Sequence, residues 1–260
     1  MMRIPLYQID AFTPKAFGGN PAAVCPLTSW LSDDIMQSIA AENNLAETAF
    51  IVPEGDEFAI RWFTPEVEMD LCGHATLASA YVVFEHLDRK RSAVTFGSRS
   101  GPLHVHRKDE RLELDFPALR PRPSEPLPGL FEAIGKVPKE LLLATSYLAV
   151  YDSERDVRSI APDMAALGRL DAHGVIVTAP GENVDFVSRF FAPRLGVPED
   201  PATGSAHCTL TPYWSERLGK TEMRARQVSK RGGEFWCSIE GDRVKMSGHA
   251  APYLVGAIEI

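Results

Sequence analysis

Residues 73–84 read GHATLASAYVVF, and this stretch decides the fold. Small and apolar side chains occupy nearly every position, so a helix formed here would be apolar on all sides. A helix of that kind is stable when it is buried all round. The sequence therefore predicts a helix inside a core, with other elements packed around it.

Short β-rich runs lie on both sides of this helix in the sequence. Before it they cover residues 4–12, 48–53 and 58–63, and after it residues 93–96, 103–107 and 112–116. One amphipathic segment, residues 31–42, predicts a second helix with Ser32 as its N-cap. Its apolar face is predicted to consist of Ile35, Met36, Ile39 and Ala40.

The second half of the chain repeats the order of the first. FTPE at residues 63–66 leads to LCGHATL at 71–77, and FAPR at 191–194 leads to ATGSAHCTL at 202–210. This duplication predicts two β-rich domains, each closed around one buried helix. Five prolines in residues 117–128 indicate a semi-rigid connection between domains at 1–116 and 129–260.

Composition narrows the class of protein. The 260 residues are 45% hydrophobic and 24% charged, with a net charge of −8, which is typical of a folded soluble protein and disfavours nucleic acid or anionic membrane as a partner. The N-terminus lacks a secretory signal pattern, and the apolar runs are too short for a membrane span. Four cysteines without C-x-x-C spacing favour a reducing compartment, so we expect a cytoplasmic location.

Both predicted core helices begin with a glycine, Gly73 or Gly204. The start of a helix exposes unpaired backbone N–H groups and binds anions, and glycine lets a ligand approach them closely. If pseudo-symmetry brings the two glycines face to face, their amides could clamp a carboxylate between the domains. The alternative is that both glycines merely start core helices.

Polar residues beside these glycines favour a site. His74 follows Gly73, Ser205 follows Gly204, and Asp200 lies four residues before Gly204. Taken singly, His74 could be a structural histidine and Asp200 a turn or cap residue. Together they place polar side chains at one end of both helices.

Glu47 enters a hydrophobic strand directly after the predicted residue 31–42 helix. Burial without a partner raises a carboxyl pKa, and a carboxyl poised near neutrality can take and give a proton. A capping or edge-strand role is the structural alternative for this glutamate.

Six motifs resemble the PhzF phenazine-biosynthesis-like family, in order and essentially end to end. They are DAFT at 10–13, FGGNPAAV at 17–24, NLAETAF at 44–50, DLCGHATLA at 70–78, PEDPATGSA at 198–206 and QVSKRGG at 227–233. The resemblance implies the diaminopimelate-epimerase-like α+β fold, with two pseudo-symmetric domains, each a β-barrel-like sheet wrapped around a central buried helix. It also implies a site in the cleft and a homodimer.

The resemblance further implies a cofactor-independent isomerase of a small carboxylic acid, with no metal. The best-known member isomerises dihydro-3-hydroxyanthranilate by a proton shift, with a glutamate as acid and base, and Glu47 matches that glutamate. By the same matching, His74, Asp200 and Ser205 resemble residues that orient and polarise the substrate. The amides of Gly73 and Gly204 resemble its carboxylate clamp.

Cys72 keeps a second enzyme class open. Diaminopimelate epimerases and proline racemases use two opposed cysteines, and here Cys72 matches the first while Thr203 occupies the second position. A threonine hydroxyl is too weak an acid to replace a thiol, which disfavours a two-cysteine racemase. A dehydratase or epimerase using Cys72 alone stays an alternative, as does a non-catalytic ligand-binding protein.

Overall fold

The computed structural model describes residues 2–260, which form two compact units. Unit 1 combines the residues up to Asp115 with Ser247–Ile260, and unit 2 is Phe116–Met246. These bounds differ from the predicted domains. The C-terminal segment belongs to unit 1, because the strand Ala250–Glu259 pairs along its length with the strand Arg3–Ala11. Residues 117–128, predicted as a connection, lie within unit 2.

The strands are numbered here in chain order: β1 (Arg3–Ala11), β2 (Asn20–Pro26), β3 (Glu47–Glu54), β4 (Glu57–Phe63), β5 (Glu68–Met69), β6 (Ala93–Ser98), β7 (Gly101–Lys108), β8 (Arg111–Pro117), β9 (Arg122–Pro123), β10 (Glu140–Leu143), β11 (Tyr147–Val150), β12 (Val175–Pro180), β13 (Phe186–Ala192), β14 (Val197–Asp200), β15 (Glu222–Gln227), β16 (Gly233–Glu240), β17 (Arg243–Gly248) and β18 (Ala250–Glu259). The α-helices are α1 (Asp33–Asn43), α2 (Gly73–Val82), α3 (Leu130–Ile134), α4 (Glu154–Ser159), α5 (Met164–Gly168) and α6 (Gly204–Leu218). No helix among the residues described has the length and apolar character needed to cross a membrane.

Unit 1 is built on a sheet with both parallel and antiparallel neighbours. β1 pairs antiparallel with β2 and with β18. β2 runs parallel to β3, and β3 runs antiparallel to β4. β4 pairs with β6 in parallel, and β7 and β8 follow in antiparallel order. Helix α2 packs against β1, β2 and β3, so the sheet holds this helix as its central element.

Helix α2 confirms the prediction made from residues 73–84, since nearly all of its side chains are buried. Its threonine and serine side chains bond to the backbone of the helix start and the helix itself. Thr76 Oγ1 donates to the Cys72 carbonyl at 2.6 Å, and Ser79 Oγ donates to the Ala75 carbonyl at 2.7 Å. Polar residues are therefore tolerated in this core position because their hydroxyl groups are satisfied locally.

Helix α1 occupies the predicted amphipathic segment, with one difference. Ser32 is the N-cap residue, although its side chain accepts no capping hydrogen bond. Met36, Ile39 and Ala40 are buried as predicted. Ile35, predicted on the same face, is 40% exposed, because it precedes Met36 by about 100° around the helix.

Unit 2 combines parallel and antiparallel strands with its own central helix. β11 runs parallel to β12, β12 antiparallel to β13, β13 parallel to β15, and β15 antiparallel to β16. Helix α6 packs against β15 and β16. Leu148, Ile176 and Phe186 are among the fully or nearly fully buried residues of unit 2.

A proline inside α6 explains how the Pro-rich segment joins unit 2. Pro212 has no backbone N–H, so the carbonyl of Cys208, four residues earlier, lacks its helical partner. The N–H of Leu119 donates to that carbonyl at 2.9 Å. The segment 117–128 is thus anchored to the helix by the acceptor that the proline leaves available.

Candidate active site

Two neighbouring strands of unit 1 bring polar side chains to the start of α2. β2 begins at Asn20 and β3 begins at Glu47, and the two strands run parallel, so both residues lie at the same end of the sheet. Cys72 is the N-cap residue of α2, and His74 lies in its first turn. Asn20, Glu47, Cys72 and His74 are called the His74 cluster below.

His74 is buried at the centre of this cluster and uses both ring nitrogens. Its Nε2 lies 3.0 Å from Oε2 of Glu47. Its Nδ1 lies 3.1 Å from Nδ2 of Asn20 and 3.5 Å from Sγ of Cys72. Apart from their mutual pairing, Nε2 and Oε2 are buried with no hydrogen-bond partner among the described residues, so each depends on the other.

A strained turn before β2 fixes the position of Asn20. Phe17 has a positive φ of 73°, and its N–H donates to Oδ2 of the buried Asp10 at 2.8 Å. Gly19 has a φ of +57°, and a Cβ there would lie 2.0 Å from the carbonyl oxygen of Ala11. Only glycine fits this position, which explains the FGGN motif as the device that presents Asn20.

Burial and close contact shift the pKa values of His74 and Cys72 in this cluster. Burial lowers the pKa of His74, but the charges and hydrogen bonds of Cys72 and Glu47 oppose it, and the net pKa is raised well above its ordinary value. Burial raises the pKa of the Cys72 thiol, and the nearby Glu47 carboxylate adds to the rise. A raised thiol pKa is typical of a protonated and weakly reactive cysteine.

Within residues 2–260, three members of the His74 cluster also have ligand atoms close enough together to bind one metal ion. The ligand atoms of Glu47, Cys72 and His74 lie within 4.8 Å of one another. Glu47 faces Nε2 of the imidazole, however, and Cys72 faces Nδ1. An ion bound through one ring nitrogen would therefore leave one of these two partners on the wrong edge of the ring, so the arrangement fits a hydrogen-bonded chain better than a metal centre.

A second cluster lies at the start of α6 in unit 2 and is called the Asp200 cluster, comprising Asp200, Thr203 and Gln227. Thr203, the N-cap residue of α6, donates its hydroxyl proton to the Asp200 carboxylate. The fully buried carboxamide of Gln227 accepts from the Thr203 N–H at 2.8 Å and donates to the Asp200 carbonyl at 2.5 Å. Gly204 is buried in the first turn and Ser205 is exposed there.

His207, one turn further along α6, is a structural residue. Its Nδ1 lies 2.8 Å from the Thr203 carbonyl, and its ring stacks on Phe235 with centroids 3.7 Å apart. Burial lowers the pKa of His207 to about 4, partly offset by the hydrogen bond to Thr203. A neutral imidazole packed between aromatic rings serves the core rather than proton transfer at neutral pH.

The structure thus places the sequence-predicted residues in two groups. Glu47, Cys72 and His74 are in mutual contact in unit 1, whereas Asp200, Gly204 and Ser205 lie around the start of α6 in unit 2. Sequence reasoning missed Asn20 and Gln227 as site residues. Both stand in the quoted motifs, but their partners lie 54 and 24 residues away, so no local spacing indicates the contact.

The fold and these helix-heading clusters define an α+β protein of the epimerase-like class. The family described as phenazine biosynthesis-like protein (PhzC-PhzF) matches residues 9–256. An uncharacterized isomerase from Pseudomonas aeruginosa is 54% identical over 260 residues, covering 100% of both chains. The solved structure of a PhzF-family phenazine biosynthesis protein from Enterococcus faecalis is 48% identical, with a TM-score of 0.97 and 100% of each chain covered. The chain belongs to the PhzF family.

A more distant structure supports the fold assignment alone. A hydroxyproline epimerase from Agrobacterium vitis shares 10% identity with this chain, at a TM-score of 0.61 and coverage of 98% of this chain and 92% of that chain. The predicted epimerase-like fold is confirmed. At this level of identity, nothing about the reaction is transferred.

Proposed function

We propose that the protein is a cofactor-independent isomerase of a small carboxylic acid, in which Glu47 removes a proton from one carbon and returns it to another. An isomerase activity in general is supported by relatives named as isomerases at 54% and 49% identity over the whole chain. The observation that carries the finer proposal is the Glu47 carboxyl, whose side chain is 13% exposed and lies 3.0 Å from His74 Nε2.

The first turn of α2, Glu47 and His74 each have a role in this reaction. The N–H groups in the first turn of α2 have no acceptor within the helix, so those at Gly73 and His74 suit the substrate carboxylate. A positioned carboxylate in a partly desolvated site is an effective acid and base, because water competes little for the proton. His74 donates from Nε2 to Glu47 and orients it. The proton is returned, so the reaction needs no external acid, oxidant or reductant.

The Asp200 cluster enters the proposal through one expectation. Asp200 and Ser205 match the family positions that orient the substrate, and Gly204 matches the second carboxylate-binding amide. The hydrogen bonds from Thr203 and Gln227 hold Asp200 in one orientation, as a substrate-orienting group requires. We expect Asp200→Asn to weaken turnover more than binding.

Deuterium exchange across a panel of candidate acids tests the proposal. Small cyclic, amino- and hydroxy-substituted carboxylic acids, including dihydro-3-hydroxyanthranilate, are incubated in D2O, and label is measured by mass spectrometry. Glu47→Gln is expected to abolish label incorporation. Glu54→Gln, at the exposed far end of β3, is the matched control and should leave it unchanged. Full incorporation by Glu47→Gln would refute the assignment of Glu47.

The contact between Cys72 and His74 supports a second candidate, a dehydratase or epimerase with Cys72 as base. The 3.5 Å separation of Sγ from Nδ1 would let the imidazole accept the thiol proton. In the same experiment, loss of label in Cys72→Ser with retention in Glu47→Gln identifies this reaction. A wild-type protein that binds the acids but labels none of them would indicate a ligand-binding protein.

A further inference from the structure

Asn20 contacts the central histidine of the cluster, yet the proposed proton transfer assigns it no part. Its side chain is fully buried, and its Nδ2 lies 3.1 Å from Nδ1 of His74. The turn that presents it contains the two strained positions Phe17 and Gly19. A buried carboxamide held by such a turn against an imidazole indicates a constraint on where that ring carries its proton.

The donors and acceptors around His74 define the constraint. A carboxamide nitrogen only donates hydrogen bonds, and a protonated thiol can donate one. With Asn20 Nδ2 and Cys72 Sγ both facing Nδ1, that nitrogen carries the lone pair when the ring is neutral. The Glu47 carboxylate, in contrast, only accepts, so the hydrogen of the neutral ring belongs on Nε2.

We propose that Asn20 is a positioning residue that fixes His74 in the Nε2–H tautomer and disfavours a proton on Nδ1. The consequence for catalysis rests on the proposed function. Above the pKa of His74 the neutral ring donates from Nε2 to the Glu47 carboxylate, whereas below it an imidazolium at 3.0 Å holds that carboxylate in an ion pair that proton transfer must break.

Other groups around α2 bear on the protonation of His74. Glu47 and Cys72 are the ionisable groups that act on it directly. The Glu47 carboxylate favours the charged ring, and Cys72 favours it only when its thiol is ionised. The buried Asp10 of β1 accepts from the Phe17 N–H, and Tyr253 of β18 packs on the Phe17 ring. Glu85 and His86 follow the far end of the helix. Asn20, which does not ionise, thus opposes protonation of Nδ1 whatever the protonation state of Cys72.

Nitrogen NMR of the histidine side chains tests this proposal with no substrate present. Long-range 15N–1H spectra distinguish the two tautomers and the imidazolium, and the spectrum of a His74→Gln variant assigns the His74 signals among the seven histidines. In the wild-type protein we expect the Nε2–H tautomer above the pKa of His74. An Nδ1–H tautomer would overturn the proposal before any other variant is made.

The sign of the pKa change in Asn20→Leu provides the second test. A hydrogen bond to the neutral form lowers a histidine pKa, so removing it should raise the pKa of His74 by about 0.5 to 1 unit, a 3- to 10-fold change in proton affinity. Asn20→Asp is close in shape and adds a negative charge, so it should raise the pKa further. An unchanged or lower pKa in folded Asn20→Leu would show that Asn20 does not oppose protonation.

Asn43→Leu is the matched control. Asn43 is half-buried in unit 1, and its carboxamide donates to Thr48 at 3.1 Å, so this variant also loses one hydrogen bond, but none to His74. Its His74 signals should match those of the wild type. Once a substrate is known, Asn20→Leu should lower kcat with little change in KM. Because the NMR result needs no turnover, failure of the isomerase proposal and failure of this one are separable.

Discussion

The buried His207 makes the stability of unit 2 sensitive to acid, and the variant His207→Phe should remove that sensitivity. The imidazole stacks on Phe235, and its centroid lies 6.0 Å from that of Phe186. Its Nε2 is buried without a polar partner among the described residues. Protonation would therefore place a charged N–H in an aromatic pocket, and folded protein resists it.

The magnitude follows from the pKa difference between the folded and unfolded states. The pKa of His207 is lowered to about 4 from the ordinary 6.5. Between these values the unfolded chain binds a proton that the folded chain does not, so stability falls as the pH falls from 6.5 to 4. At about 1.36 kcal/mol per pKa unit, the loss is about 3 kcal/mol. The raised pKa of His74 has the opposite sign and acts above pH 6.5, where its stabilising contribution is lost as the pH rises.

Urea unfolding at several pH values between 4 and 7, followed by circular dichroism and tryptophan fluorescence, measures this effect. Trp214 stacks on Phe186 with centroids 5.7 Å apart and reports on the same core. Relative to the wild type, His207→Phe should lose about 3 kcal/mol less on acidification. His104→Gln, which removes an exposed histidine, is the matched control. Equal pH slopes for wild type and His207→Phe would refute the reasoning.

Two further predictions concern the residues that hold the site. Gln227→Leu leaves the buried Thr203 N–H and the half-buried Asp200 carbonyl without this partner and should lower the free energy of unfolding by about 3 kcal/mol. Gln37→Leu, which loses one half-buried bond to Thr64, should lower it by about 1 kcal/mol or less. Comparable urea midpoints for the two variants would contradict the anchoring role of Gln227. Gly19→Ala should lower the stability of the fold far more than Gly55→Ala. Both glycines have a positive φ, but only Gly19 leaves no space for a Cβ. Gly55→Ala should therefore cost about 1 kcal/mol from backbone strain alone. Equal thermal midpoints in these two alanine variants would show that the turn before Asn20 relaxes.

The central helices could be predicted from sequence because their signal is local. A run without a polar face, as in residues 73–84, has no stable position except a core. The place of β18 could not be predicted in the same way. Its partner β1 lies at the other end of the chain, and the pairing depends on register between distant strands. The predicted C-terminal domain therefore extended through residues that belong to unit 1.

In the candidate site, as in the fold, a residue with a local sequence signal could be predicted, whereas a residue defined by contacts with distant segments could not. Glu47 and His74 drew attention because a carboxylate entering an apolar strand and a histidine on a buried helix conflict with their surroundings, and the resemblance to the PhzF family then selected them. Asn20 gave no such signal, because a Gly-Gly-Asn-Pro run is typical of an ordinary turn. Its function becomes visible only when the parallel pairing of β2 and β3 places it beside the start of α2.

A comparison of the two helix starts suggests why buried carboxamides appear at both. Helix α2 offers few large side chains to fix its position along its axis, so hydrogen bonds at its first turn help to do so, and α6 has a similar anchor although it carries the large Tyr213 and Trp214. In unit 1 the carboxamide of Asn20 contacts His74, and in unit 2 that of Gln227 binds the N-cap residue Thr203. Each anchored start holds a glycine and its neighbouring N–H groups in a fixed position, which is the requirement for binding an anion without reorganisation. The N-cap positions differ, with Cys72 in one unit and Thr203 in the other. The two helix starts thus share a buried carboxamide and differ in their N-cap groups, and this asymmetry is what a single carboxylate acid and base at Glu47 would need.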